Sequence, residues 1–466
     1  MVYTMPEFLE RRYNPQSRTI LSVISLVSYV LTKVAVTVYA GGLVFQQVFG
    51  IKELWGIDFF WIAAIGLVVL TALYTIFGGM KSVLYTSVLQ TPILLLGSLI
   101  ILVLGFKELG GWDEMMRVCG AVTVNDYGDT MTNLIRSNDD ANFPWLGALI
   151  GSAIIGFWYW CTDQFIVQRV LSGKNEKEAR RGTIFGAYLK LLPVFLFLIP
   201  GMIAFALHQK YIGAGGEGFL PMLANGTANA DAAFPTLVAK LLPAGVKGLV
   251  VCGILAALMS SLASLFNSSA MLFTIDFYKR FRPETPEKKL VGIGQIATVV
   301  IVILGILWIP IMRSVGDVLY TYLQDVQSVL APGIAAAFLL GICCKRTSAQ
   351  GGMWGLIAGM IIGLTRLGAK VYYSNAGEVA DSTFKYLFYD MNWLFFCGWM
   401  FLFCIILTIV VSLCTKAPEV GKIQGLVFGT ATPEERAATR ASWNHWDVIH
   451  SVIILGITAA FYWYFW

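Results

Sequence analysis

Charge is what this sequence has least of. Lys, Arg, Asp and Glu together make up 13% of the 466 residues, while hydrophobic residues make up 57%. A soluble domain carries about 25% charged residues. Too little charge is present here to cover a water-facing surface, and a lipid bilayer must replace water around most of the chain. Histidine is nearly missing. His208, His445 and His450 are the only three, and none joins a Cys, Glu or Ser in a catalytic pattern, which leaves a membrane enzyme without its usual groups. The eight cysteines show no zinc spacing; all but Cys119 fall in or beside apolar runs, as small packing residues do. The opening MVYTMPEFLERRYNPQSR lacks an apolar stretch behind a basic start, so it reads as an amphipathic loop and not as a signal peptide. The net charge of +5 is small and sits in loops, which offers nothing to a nucleic acid.

Long apolar runs are what the sequence does have. They are about 20 residues long and do not alternate, which favours helices over a β-barrel. The expected fold is all-α, one polytopic transmembrane domain over 1–466. About eleven spans fall near 20–48, 57–77, 83–106, 145–163, 182–207, 245–275, 290–312, 317–342, 351–370, 391–414 and 447–466. Basic residues set the orientation. With Met1 in the cytoplasm, Arg11, Arg12, Lys174, Lys177, Arg180, Arg181, Lys279, Arg280, Lys345 and Arg346 all lie on the cytoplasmic side and the C-terminus falls outside. Two long outer segments, near 107–144 and 208–244, are polar enough to form short surface helices. The second holds a glycosylation sequon at Asn225, a pattern common by chance.

Ionisable residues within spans cost several kcal/mol unless paired or hydrated. They are Lys33, Asp163, Lys190, Asp317, Asp325 and Arg366. Asp163 and Asp317 lie near helix ends and suit capping. Lys33 suits snorkelling or pairing within the bundle, and Arg366 lies one turn from an outer end, within reach of headgroups. Lys190 lies about eight residues inside its helix, roughly 12 Å deep at 1.5 Å per residue, and is expected to face a hydrated cavity.

Three patterns add to this. Phe157-Trp158-Tyr159-Trp160 follows Gly151 and Gly156, which suits a helix that unwinds around a ligand. Such rings stack on the C–H faces of a hexose, while Gln and Lys bond its hydroxyl rim; an interfacial aromatic belt accounts for the same residues. Ser260-Ser261 lies among small residues, read either as tight helix packing or as neutral oxygens for a dehydrated sodium ion. Gln324 starts a span with Pro332-Gly333 in its middle, a pair expected to interrupt the helix beside a cavity.

Together these residues resemble the sodium–solute symporter family, in particular its sodium/glucose cotransporter branch. YTMPEFLERRY, TALYTIFGGMKSVLYTSVLQT, WYWCTDQFIVQRVLSGKN, YLKLLPVFLFLIPGMI, AFPTLVAKLLPAGVKGL, LMSSLASLFNSSAMLFTIDFY and YLQDVQSVLAPGIAAAFLLGICCKR carry the likeness. WYWCTDQ and the serine-rich segment are its most specific parts. The resemblance implies a five-plus-five inverted-repeat core like that of the leucine transporter, working by alternating access. Tyr159, Lys190 and Gln324 fall on sugar-contacting positions, with Trp160 near an outer gate. Ala257, Ser260 and Ser261 fall on sodium-site positions, through a carbonyl and two hydroxyls. Sugar, sodium and the bilayer are the implied partners.

Three departures qualify the likeness. The family's YTMPEF motif follows earlier spans, including the first broken helix of the core, so the resemblance implies a chain lacking its first helices. Ser87 stands where the family often has Asp, and Ala263 where two-sodium members have Thr, so one sodium per sugar is expected. Gly156 stands where some members carry a polar sugar contact. Myo-inositol and similar polyols are the alternative substrates. A non-transporting fragment or sensor on the same scaffold is the alternative class. The short loops suit a bacterial inner membrane.

Overall fold

The structure is a computed structural model that describes residues 4–223, 226–315, 318–376 and 380–465; Asn225 and Asp317 lie outside the described residues. Ten described helices are long and apolar enough to cross a membrane, and an eleventh apolar stretch, Phe59–Leu73, is shorter. The two runs near 57–77 and 83–106 belong to one unbroken helix, Phe59–Leu109, of 51 residues. At 1.5 Å per residue it is about 77 Å long, far more than a hydrocarbon core of about 30 Å. Hydropathy separates the two runs, but the backbone ladder does not stop between them. The polar segments near 107–144 and 208–244 carry the expected short helices, Trp112–Gly120 and Ala233–Leu241.

The chain divides into two compact units. The first comprises Met1–Lys33, Asn138–Ile184 and Ser268–Val452. Its centre is the helix Leu319–Cys343, buried along most of its length and packed against Ala349–Asn375, Trp393–Cys414 and Trp145–Phe157. Leu9, Tyr13, Ile154, Trp158, Phe338 and Leu394 belong to its apolar core. The motif at the start of the chain has a structural task here. Thr4 caps the helix Met5–Arg12 by accepting from the Glu7 amide at 3.2 Å. Arg12, fully buried, donates to the carbonyls of Gly341 and Cys344 at 2.8 and 2.9 Å. Those carbonyls end the Leu319–Cys343 helix, where a cation meets the negative end of the helix dipole. The Tyr13 hydroxyl donates to the Ala337 carbonyl at 2.7 Å, and burial pushes the phenol above its ordinary pKa, so it stays a donor.

Pro332-Gly333 does not interrupt its helix. The helix runs through both residues, and Gly333 instead serves a close crossing: a Cβ there would lie 3.0 Å from the Cα of Gly359. Gly363 makes the same approach to the Val329 carbonyl. Small residues let the two backbones touch, which is how helices associate without a hydrophobic driving force.

The second unit comprises Val34–Ser137, Phe185–Asn267 and Ile453–Trp466. The helix Ala35–Phe49 packs on Phe59–Leu109, which also meets Ile199–Gly213. Its core holds Phe45, Ile101, Met115, Ile203, Leu237 and Ile254.

Candidate functional site

In the first unit regular α-helix gives way at the aromatic run. Trp145–Phe157 is α-helical, Trp158–Thr162 widens into a π-type turn, and Asp163 leaves helical geometry at φ −77°, ψ 119°. Asp163 then caps Gln164–Leu171 by accepting from the Phe165 amide at 3.1 Å. It also forms a buried ion pair with Lys33 and accepts from the Tyr29 hydroxyl at 3.0 Å. The Lys33 ammonium lies 4.3 Å from the Phe165 ring centre, 4.6 Å from Tyr29, 5.4 Å from Tyr159 and 5.8 Å from Trp158. The cation therefore has a counter-ion and four aromatic rings, which offsets its desolvation. Pairing within the bundle is the right account of Lys33. Tyr29 and Phe165 carried no signal in the sequence.

Tyr159 is half-buried and sets its ring edge-on to Trp160, at 5.2 Å between centres; Trp160 is 50% exposed. One turn earlier, a Cβ at Gly156 would meet no atom within 4 Å, so open space lies beside these rings. The turn Trp158–Thr162 packs against the Leu319–Cys343 helix, which carries Gln324. Gln324 is half-buried, and its amide donates to the Tyr320 hydroxyl at 3.3 Å, which leaves further donor and acceptor capacity.

Beside Gln324, Asp325 pairs with Lys370 and stands 3.8 Å from Arg366. Arg366 does not reach headgroups. It is fully buried, donates to the Leu387 carbonyl at 3.2 Å and the Met391 carbonyl at 2.6 Å, and lies 4.1 Å over the Phe396 ring. Two carbonyls, a ring and a nearby carboxylate take the place of water around it. Lys370 was not visible as the partner of Asp325, because 45 residues separate them.

The remaining candidates lie in the second unit. Lys190 is exposed on the helix Glu176–Pro193. Ala257, Ser260 and Ser261 lie on Ala244–Met271, with Ser260 buried and the other two half-buried. The Ser260 hydroxyl meets the Ser87 hydroxyl at 2.5 Å, and Ser264 donates to the Ser260 carbonyl at 3.0 Å. Ser87, which stands where the family often places a carboxylate, therefore touches the candidate ion site directly. Neutral hydroxyl oxygens of this kind suit a small hard cation. Among the described residues no three His, Cys, Asp or Glu side chains gather as a metal site.

The comparisons with known proteins concern family and fold. The profile of the Sodium:solute symporter family matches residues 1–359. The chain is similar to the sodium/mannose cotransporter SLC5A10 of Bos taurus, 35% identical, over 100% of this chain and 80% of the relative. It is also similar to sodium/glucose cotransporter 1 of Ovis aries, 37% identical over 89% of this chain, and to sodium/glucose cotransporter 4 of Homo sapiens, 36% identical over 95%. It spans 64% and 63% of those two relatives. Among solved structures, the substrate-bound outward-open state of a Na+-coupled sialic acid symporter shares the fold, with a TM-score of 0.66 over 89% of this chain and 78% of that one at 21% identity. By sequence and by fold, with its helices placing serine oxygens together in one unit and an aromatic turn in the other, the chain belongs to the sodium:solute symporter family, a family of sodium-coupled transporters and not of enzymes.

Proposed function

We propose that the protein carries a small neutral hexose across a cell membrane with sodium, by alternating access. The observation that carries this reading is the aromatic turn: Tyr159 and Trp160 offer ring faces beside the space at Gly156, on a segment packed against the Gln324 helix. Relatives named for glucose and mannose support the substrate class. In this reading Tyr159 stacks on the sugar, Gln324 bonds its hydroxyls, and Trp160 covers it from outside. Sodium binds through the Ala257 carbonyl and the Ser260 and Ser261 hydroxyls. One ion travels per sugar, because Ser87 and Ala263 supply neither the carboxylate nor the hydroxyl that a second ion would use. The basic loops face the cytoplasm of a bacterial inner membrane.

Uptake of labelled D-glucose into proteoliposomes under an inward sodium gradient tests the proposal, with myo-inositol as competitor. Sodium-dependent uptake that Gln324→Ala reduces at least about tenfold, at unchanged expression, is the expected result, since the variant removes a hydroxyl partner. Uptake indifferent to sodium, or equal in the variant, would overturn it. A protein that binds sugar without moving it would favour the sensor reading.

A further inference from the structure

Nothing in the transport reading uses a cavity of about 560 Å³ in the second unit, although its size is that of a small-molecule pocket. Gln47, Glu217, Thr236 and Lys240 supply its polar lining. Thr236 is only 4% exposed, and among the described residues its hydroxyl has no hydrogen-bond partner. The Gln47 amide and the Glu217 carboxylate are likewise without one. Lys240 donates once, to the Phe219 carbonyl at 2.7 Å, and keeps two donors for a ligand.

The apolar wall is Phe219, Leu220, Pro221 and Met222. This segment is held in place before any ligand arrives. The Leu220 amide donates to His208 Nδ1 at 3.0 Å, and the Asn229 amide to the Pro221 carbonyl at 2.9 Å. Gly218 lies so close to the His208 ring that a side chain there would clash. A fixed wall lowers the ordering cost of binding.

The chemistry of the lining selects its ligand. One carboxylate and one ammonium cancel, so no net charge favours an ion. An amide, a hydroxyl, a carboxylate and an ammonium offer mixed donors and acceptors, and Phe219, Leu220, Pro221 and Met222 add apolar surface to the same cavity. We propose that this cavity is a second binding site, for a neutral, hydroxyl-rich small molecule of pyranose or cyclitol size. The sugar-transport reading enters only through the choice of probe.

Calorimetric titration of the full chain in detergent with D-glucose, and separately with myo-inositol, tests this. Three variants address the cavity: Thr236→Val, which removes the hydroxyl at constant shape, Gln47→Ala, and Met222→Trp, which fills the space from a residue that is 54% exposed. The expected result is a binding component that persists in Gln324→Ala, weakens at least about tenfold in each cavity variant, and leaves uptake within about twofold. Agreement between Thr236→Val and Met222→Trp, each eluting as a single species in size-exclusion chromatography, separates loss of binding from loss of folding. A wild type with no component surviving Gln324→Ala overturns the proposal, as do cavity variants that bind unchanged. Preference for glycine over both polyols overturns it too, since a zwitterion would then be using Glu217 and Lys240. If sodium-driven uptake fails while the Met222→Trp-sensitive component remains, the transport reading falls and the cavity site stands.

Discussion

The two units bury different kinds of polarity. Every charged residue buried among the described residues belongs to the first: Arg12, Lys33, Asp140, Asp163, Asp276, Asp325, Arg366 and Asp447. The second buries only neutral groups, namely His208 and the hydroxyls of Thr71, Ser98, Thr236, Ser260 and Ser264. Ion pairs such as Arg18 with Asp276 or Lys33 with Asp163 already set a cation against the carboxylate and have no net charge to offer a passing cation. In the proposed reading the lone pairs of serines hold the ion instead, without the deep binding that a bare carboxylate would impose. Buried charge is confined to the first unit among the described residues, and the proposed ion site draws on the neutral oxygens of the second.

The sharpest way to break that contrast is to open a closed pair. Asp163→Asn strands the Lys33 ammonium in a buried site, at a cost of about 3–5 kcal/mol. A thermal-shift assay should show a large loss, recovered in large part by adding Lys33→Met. Equal stability of Asp163→Asn and wild type would mean that the pair is not structural.

The reverse experiment puts charge where the molecule has none. Ser87→Asp sets a carboxylate against the Ser260 hydroxyl and should tighten half-saturation by sodium about tenfold, with slower release. Ser260→Ala should weaken it by a similar factor, about 1.4 kcal/mol. Sodium dependence of uptake that moves in neither variant would remove Ser260 from the ion site.

The smallest effect is a null one in the neutral unit. Cys119 is buried and donates to the Met202 carbonyl at 3.7 Å, and burial raises its thiol pKa to about 11. Maleimide attacks the thiolate. Cys119 should stay unlabelled at pH 8 in folded protein and react only as the pH nears 11 or after unfolding, as peptide mass mapping would report. Prompt labelling at pH 8 would place it on an open surface.

How far the sequence foretold this depends on the length scale of each signal. Apolar runs are local, so the spans were readable; so was the turn at Trp158–Thr162, because glycine and aromatics sit within a few residues of it. Pairings were not. Lys33 and Asp163 are 130 residues apart, and Ser87 and Ser260 are 173 apart, so Asp163 read as a helix cap and Ser87 as a missing ligand. Arg366 misled because nearness to a helix end says nothing about the carbonyls that a neighbouring segment turns toward it. Pro332-Gly333 misled because glycine serves both broken helices and close crossings, and only the facing residue, Gly359, decides between them.

The glycines of Ala349–Asn375 have a consequence for register. Gly351, Gly355, Gly359 and Gly363 recur every four residues, the first two against Ser412 and Thr408, the last two against Gly333 and Val329. A stripe that repeats with nearly the period of the helix looks almost the same after a slide of one turn, about 5.4 Å. It tells the helices to touch and says little about where along their length to do so. That information must come from groups that occur once, and Asp325 with Arg366 and Lys370 is such a set. Only one alignment brings the carboxylate level with both cations; a slip of one turn would leave three charges unmatched in an apolar interior. The costly residues act as the address, and the cheap ones as the adhesive.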